Sequence, residues 1–224
     1  MSERNLMSKC LICESTTESF VDSQIKNHQG YVIYHACKAC GFTYKDRDFL
    51  ITKTLEKSQY DLHENTLENK GYVTMFENFI DEAITPWIDR GEALDYGSGP
   101  EPVLQTLLER KGFKTSIYDP FYAPQKDVLS KQYDLITSTE VFEHFYNPLK
   151  DIENIVLSLK KHGVLAIMTQ LKTMDHDHFL TWWYRRDITH VSFYTLKTFD
   201  IIEEKFNLQR LYTNHKNIIV LKKR

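Results

Sequence analysis

The sequence predicts an α/β chain: a Rossmann-like, mostly parallel sheet closed by an antiparallel hairpin, with a small metal ribbon at the N-terminus. Three observations carry this. Strand-like and helix-like segments alternate along the second half of the chain. A glycine turn, Gly97-Ser98-Gly99, joins one of those strands to a helix. All four cysteines fall between positions 10 and 40, in two C-x-x-C pairs.

The 224 residues allow one domain with a small appendage. With 42% hydrophobic and 26% charged residues the composition is that of a globular protein with a real core. Lys and Arg number 28 against 31 Asp and Glu, a formal net charge of −3, which excludes a polycation built for nucleic acid. No apolar run approaches the ~18 residues that span a bilayer. The N-terminus lacks the apolar stretch of a signal peptide. The expectation is a soluble cytoplasmic protein with no membrane partner.

The pairs Cys10/Cys13 and Cys37/Cys40 have the spacing of a tetrahedral thiolate site. Each pair forms a knuckle that puts two sulfurs on one ion, and the hairpin between them brings the knuckles together. Gly41 suits the tight turn of the second knuckle. Disulfides do not suit a cytoplasmic chain. Zn²⁺ is the expected ion, with a rubredoxin-like iron as the other metal this spacing takes. A closed Cys₄ site has no open coordination position, so the metal is structural. The expected layout is a zinc ribbon over 1–45, a linker and cofactor lid over 46–70, and the main domain over 71–224.

Along the chain, residues 31–36 alternate as a strand leading into the second knuckle, and 46–58 read as a polar linker. Tyr72, Met75, Phe76, Phe79, Ile80, Ala83, Ile84 and Trp87 recur at helical spacing, with Pro86 kinking or ending the helix. Residues 92–96 read as a strand and Val103–Arg110 as a helix with Gly112 at its C-cap. Strands follow over 113–119 and Tyr133–Thr139, with too little room between them for another full helix and strand. A helix over 148–161, a buried strand over 164–169, a helix over 195–206 and a hairpin around 214–217 complete the pattern.

Glycines at a strand-to-helix turn let a ligand approach the backbone. Asp119, at the end of the next strand, is placed to hold the hydroxyls of an adenosine ribose. A dinucleotide calls for a third glycine beside its pyrophosphate; here Pro102 and Glu101 stand there, with Asp95 just before the turn. Carboxylates repel a pyrophosphate but suit the ammonium and sulfonium of S-adenosylmethionine.

On these residues the chain resembles the class I S-adenosylmethionine-dependent methyltransferases. The matching features are the run from Leu94 to Gly99, Asp119, the segment from Tyr133 to Phe145, the stretch around Gly163 and the final hairpin. The E-V-x-E-H segment from Glu140 to His144 is similar to the ubiquinone-methylase-like branch. The resemblance covers roughly residues 70–224. It implies that the backbone at Gly97, Ser98 and Gly99 passes the methionine moiety, and that Asp95 sets the loop and reaches the ammonium. It further implies that Asp119 holds the ribose, and that Thr139 and Glu140 lie beneath the sulfonium. Tyr60, His63 and Tyr72 fall where such enzymes carry a lid. The aromatic segment 174–194 falls where they carry a cap over the active-site mouth. Its Trp182 and Trp183 are read as packing that seats the cap. Its Arg185 and Arg186 pair with a substrate anion or with Asp187.

The reaction expected is methyl transfer to an O or C atom of a small-molecule or carrier-bound metabolite, with His144 and His190 as candidate catalytic bases. The alternatives are an RNA or protein methyltransferase that recognises its substrate through the ribbon, and a non-catalytic binding module. A nicotinamide-dependent oxidoreductase is disfavoured by Glu101 and Pro102. The near-neutral ribbon argues against nucleic acid.

Overall fold

The N-terminal segment builds an antiparallel ribbon of β1 (Thr17–Asn27), β2 (Gly30–Cys37) and β3 (Thr43–Lys45) in the computed structural model, which describes residues 8–27, 29–62 and 66–224. Helices α1 (Lys53–Tyr60) and α2 (Lys70–Ala83) follow. Then come β4 (Gly91–Tyr96), α3 (Val103–Arg110), β5 (Phe113–Tyr118), β6 (Tyr133–Thr139), α4 (Pro148–Leu157) and β7 (Leu159–Met168). The chain ends with α5 (His176–Thr181), β8 (Ser192–Phe193), α6 (Leu196–Phe206), β9 (Leu208–Thr213) and β10 (Ile218–Lys223).

Six strands form the main sheet in the order β5-β4-β6-β7-β10-β9. The first four are parallel, and β10 runs antiparallel to both of its neighbours. Alternate residues of each strand feed two cores. Leu94, Ile136, Leu165 and Leu221 pack with Ile152 of α4 and Phe199 of α6. Ala93, Leu135, Ala166 and Val220 pack with Phe79 of α2 and Leu107 of α3. Both faces are covered, which is why the central strands read as continuous apolar runs. The chain moves outward from β4 to β5 and then returns to β6. That reversal opens a crevice beyond the carboxyl ends of β4 and β6.

The ribbon shares this architecture. β3 pairs with β8, placing Thr43 opposite Phe193, so the ribbon becomes a four-stranded sheet completed from the far end of the chain. Cys10, Ile12, Cys37, Cys40 and Phe42 belong to the same apolar cluster as α4 and α6.

Helix α3 and strand β6 match the expected spans. Other boundaries differ, for local reasons. Helix α2 ends at Ala83, where the Thr85 amide and hydroxyl both donate to the Ile80 carbonyl. Helix α4 stops at Leu157 because Leu159 is buried and paired with Tyr133, so the expected last turn is strand and Gly163 lies inside β7. The stretch read as a polar linker over 46–58 holds most of α1, which is capped by the Thr52 hydroxyl and runs on to Tyr60. Among the described residues no strand forms between Asp119 and Tyr133, only a short helical turn over Lys126–Ser130 and a bridge from Asp119 to Ala123. His63 lies outside the described residues.

Candidate active site

A cleft of about 790 Å³ fills the crevice at the carboxyl ends of β4, β5 and β6. Its floor at one end is the glycine turn. Gly97 has φ +87°, and a Cβ there would stand 2.2 Å from Val141 Cγ2. Only glycine fits that conformation and that approach. The amides of Gly97 and Ser98 donate to the Tyr118 carbonyl at 2.7 and 3.3 Å, fixing the turn against β5.

Asp95 lies buried beneath the turn, and the Thr137 hydroxyl donates to its Oδ1 at 2.9 Å. Burial, with a smaller contribution from Asp119, raises its carboxyl to about 7. Asp119 Oδ2 accepts from the Gly99 amide at 3.1 Å, and Oδ1 accepts from the Phe121 and Tyr122 amides at 2.8 and 3.0 Å. Three of the roughly four lone-pair positions of a carboxylate are therefore taken by backbone.

Two helices reach over this end. Tyr72 stands on α2, whose first turn is capped by the Asn69 side chain. Burial first, then the carboxylates of Asp95 and Glu140, push its hydroxyl well above the usual range, and all three residues line the cleft. Tyr60 ends α1 and donates to Glu56 Oε1 at 2.9 Å, while Tyr146 donates to Glu56 Oε2 at 3.2 Å. The Tyr60 ring meets the edges of Phe121 and His144 at 5.8 and 5.2 Å.

Thr139 closes β6. Glu140 follows with φ +54°, and its amide donates to the Met168 carbonyl at 2.7 Å. A non-glycine residue held in this region beside a cleft is a common signature of a working site. The Glu140 side chain opens into the cleft, yet its walls strip enough water that desolvation and the Glu143 charge raise its carboxyl to about 8.

At the other end stand His144 and His190, ring centroids 4.9 Å apart. His144 Nδ1 is 3.1 Å from the Thr189 carbonyl and His190 Nδ1 is 2.7 Å from the Tyr184 carbonyl. A carbonyl only accepts, so each Nδ1 carries the hydrogen and Nε2 is bare in the neutral ring. Burial, followed by the charge of His144, lowers the pKa of His190 below the usual value. The Tyr184 hydroxyl donates to Glu140 Oε2 at 3.3 Å, linking this end to β6.

All the cofactor-end residues singled out in the described chain line this cleft, as do both histidines. Sequence reasoning missed Glu56, Tyr146 and Tyr184, and gave Glu143 no role. Only Glu143 had a signal, its place in the E-V-x-E-H segment. Two expectations for the cap are corrected. Trp182 packs with Phe179, Tyr184 and Phe193, but Trp183 is 64% exposed and lines the cleft. Arg185 faces neither the cleft nor Asp187. It is 1% exposed, its Nε 3.0 Å from Asp22 Oδ2 and its Nη2 2.9 Å from Gln24 Oε1, because the cap packs on β1.

The four cysteines gather away from the cleft. Cys10 and Cys40 sulfurs are 3.6 Å apart, and Cys13 lies 3.5 Å from both Cys37 and Cys40. These are free thiols, with all four sulfurs within 4.8 Å of one another. Thiolates about 2.3 Å from a tetrahedral ion stand about 3.8 Å apart, so the donor set fits such an ion. The Ile12 amide donates to Cys10 Sγ at 3.4 Å, and the Thr195 and Thr198 hydroxyls donate to the Cys40 carbonyl at 2.8 and 3.0 Å. Gly41, at φ +78°, leaves room for Met174 and Thr195, which a Cβ would strike.

A parallel sheet with this switch-point cleft and an antiparallel C-terminal pair is the class I methyltransferase fold. A family model for the methyltransferase domain matches residues 74–213, well over half of the chain. The chain belongs to that family and is an S-adenosylmethionine-dependent methyltransferase. Similar solved structures include magnesium protoporphyrin IX methyltransferase from Synechocystis PCC 6803 with bound S-adenosylhomocysteine. It is 13% identical with a TM-score of 0.53, covering 80% of this chain and 98% of that one. Another is a candidate sarcosine dimethylglycine methyltransferase from Galdieria sulphuraria, 14% identical with a TM-score of 0.51, covering 78% and 92%. No curated protein sequence matches the chain significantly. Among the described residues no helix is long and apolar enough to cross a membrane.

Proposed function

We propose that this enzyme methylates an O or C atom of a small-molecule or carrier-bound metabolite, in the manner of the ubiquinone-methylase-like branch. The observation that carries this reading is the second end of the cleft. Beyond the glycine turn there is still room for an acceptor, walled by Trp183, Tyr184 and two histidines with bare Nε2 atoms.

In this reading the turn at Gly97, Ser98 and Gly99 holds the methionine part of the cofactor. The carboxylate of Asp95 answers its ammonium. Asp119 has one lone pair to spare for a ribose hydroxyl, while Thr139 and Glu140 lie under the sulfonium. Tyr60 and Tyr72 close over it. The acceptor aligns in line with the S–CH₃ bond. Its bond to the methyl carbon forms as the sulfur takes the S–C electron pair, and the acceptor's proton passes to the bare Nε2 of His144 or His190. Alignment and exclusion of water supply most of the rate.

The four thiolates hold a structural Zn²⁺, which suits a reducing, cytoplasmic compartment. The layout of ribbon over 1–45, lid over 46–70 and catalytic domain over 71–224 belongs to the same reading; Lys53, Glu56 and Tyr60 of α1 already line the cleft. Replacing Cys37 by Ser is expected to release zinc and lower the melting temperature. Full metal content with normal melting would sink the structural zinc.

The test of the activity is calorimetric titration of the zinc-loaded protein with S-adenosylhomocysteine, with NAD as control. It is followed by labelled methyl transfer from S-adenosylmethionine into metabolite extracts. Micromolar binding of the first ligand alone and label in a small acceptor are expected. Label in RNA or protein only would overturn the substrate class.

A further inference from the structure

We infer that Lys45, on the ribbon, is a positioning residue for the two histidines at the acceptor end of the cleft. The inference rests on the reading in which those rings serve as bases, and it makes the ribbon part of the acceptor site.

Lys45 ends β3 and holds the cap at two points. Its backbone amide donates to the Val191 carbonyl at 2.9 Å, and its Nζ donates to the Ile188 carbonyl at 2.9 Å. Between those carbonyls lie only Thr189 and His190. The Thr189 carbonyl accepts from His144 Nδ1 at 3.1 Å, and His190 carries the other ring. One ribbon residue thus clamps the chain on either side of the two residues that set both rings. The Val191 amide donates to the Glu143 carbonyl at 2.8 Å, which ties the same stretch to the residue just before His144. From β2, the Tyr34 hydroxyl donates to the Arg185 carbonyl at 3.4 Å, one residue beyond the Tyr184 carbonyl that accepts from His190 Nδ1.

The stretch shapes itself but does not place itself. Asp187 Oδ1 accepts from the Thr189 amide and hydroxyl at 2.8 and 2.6 Å, which closes a tight turn. The position of that turn against β6 is set from outside it, and Lys45 supplies two of the ties. Lys45 is buried, and burying an ammonium is costly. Burial lowers it to about 8 and the charge of Asp187 opposes the shift, so it still carries its charge at neutral pH. An apolar side chain would pack there at less cost. What the ammonium adds is a charge-assisted bond to one carbonyl.

The placement matters because a base acts only in the right tautomer and within reach of the proton. A ring that loses its Nδ1–H bond to Thr189 is free to turn an N–H toward the acceptor, and then cannot take its proton. Glu143 Oε1, buried and without a hydrogen bond among the described residues, lies 4.0 Å from His144 Nε2. It stands where it steadies the imidazolium that forms when His144 takes a proton.

The experiment compares the zinc-loaded wild type with Lys45→Met. Nitrogen-15 magnetic resonance of the imidazoles tells a protonated ring nitrogen from a bare one. Calorimetry with S-adenosylhomocysteine gives cofactor affinity, and labelled methyl transfer from S-adenosylmethionine into metabolite extracts gives the rate. Wild-type His144 should show Nδ1 protonated and Nε2 bare. In Lys45→Met the two nitrogen signals should converge as the tautomers mix. The rate should fall about 100-fold, the order expected of a small misplacement. S-adenosylhomocysteine affinity should stay within about twofold, as for sites without shared partners. A role in stability alone would lower the melting temperature and leave the ring signals and the rate unmoved. Lys45→Gln, whose amide falls short of Ile188, repeats the test if Lys45→Met does not fold. A folded variant that keeps either the wild-type ring signals or the wild-type rate overturns the assignment. A wild type that moves no label into any small acceptor brings down the underlying reading instead, and the ring signals then decide whether Lys45 places the histidines.

Discussion

The two ends of the cleft are built differently. The cofactor end comes from β4, its glycine turn and the tip of β5, and its contacts are mostly backbone. The acceptor end gathers side chains from the turn after β6, the end of β7 and the cap, spread from Glu143 to His190. Backbone binding asks only for a local conformation. Side-chain binding asks for distant segments to be held in register, and that scaffold can be broken far from the cleft.

Arg185→Met is the largest test of this contrast. It leaves Asp22 buried and unpaired, and should cost about 3–5 kcal/mol of stability by denaturant unfolding. The pair Arg185→Met with Asp22→Leu should recover most of that loss, because the uncompensated charge is gone. S-adenosylhomocysteine affinity of the folded fraction should barely move. A parallel loss of affinity would show that the two ends are one unit.

Gly97→Ala attacks the other end. Its Cβ meets Val141, so S-adenosylhomocysteine affinity should fall about 100-fold, and the clash and the positive φ should cost about 1–3 kcal/mol of stability. Adding Val141→Ala should restore part of it, leaving the cost of the positive φ. Full affinity in the single variant would mean that the turn shifts freely.

Asp119→Ala should weaken S-adenosylhomocysteine at least about tenfold, through the lost ribose contact and the freed Gly99, Phe121 and Tyr122 amides. An unchanged affinity in a folded variant refutes the ribose role.

A pH dependence tests the buried acid itself. Folding raises the Asp95 carboxyl to about 7, against about 3.9 in the unfolded chain. Between those values the folded state holds a proton that the unfolded state has released, so stability falls as pH rises through that window. Cofactor-free Asp95→Asn should therefore melt above the wild type at pH 8, with the gap closing toward pH 4. A gap that ignores pH would contradict the buried acid.

This contrast also explains what could be read from the sequence. The C-x-x-C pairs, Gly97, Gly99 and Asp119 stand out because each falls in a short pattern, a cysteine knuckle, a strand-to-helix turn or a strand end, that is visible along the chain. The span of α3 is legible for the same reason. Arg185 was misread because its partner, Asp22, sits on another sheet and nothing in the local pattern points to it. The two-residue strand β8 has no periodicity to detect; it exists because β3 offers an open edge. Glu143 stood in view within a motif, but only burial reveals its bare oxygen.

The Thr195 hydroxyl bonds to the Cys40 carbonyl, 155 residues earlier in the chain. Synthesis runs from the N-terminus at about 5–20 residues per second, so the thiols leave the ribosome roughly 8–30 s before the segment that completes their sheet. During that interval the β3 edge is bare and the knuckles lack their outer supports. Metal capture by the nascent chain would keep those thiols from wandering into other partners until the last quarter of the protein arrives.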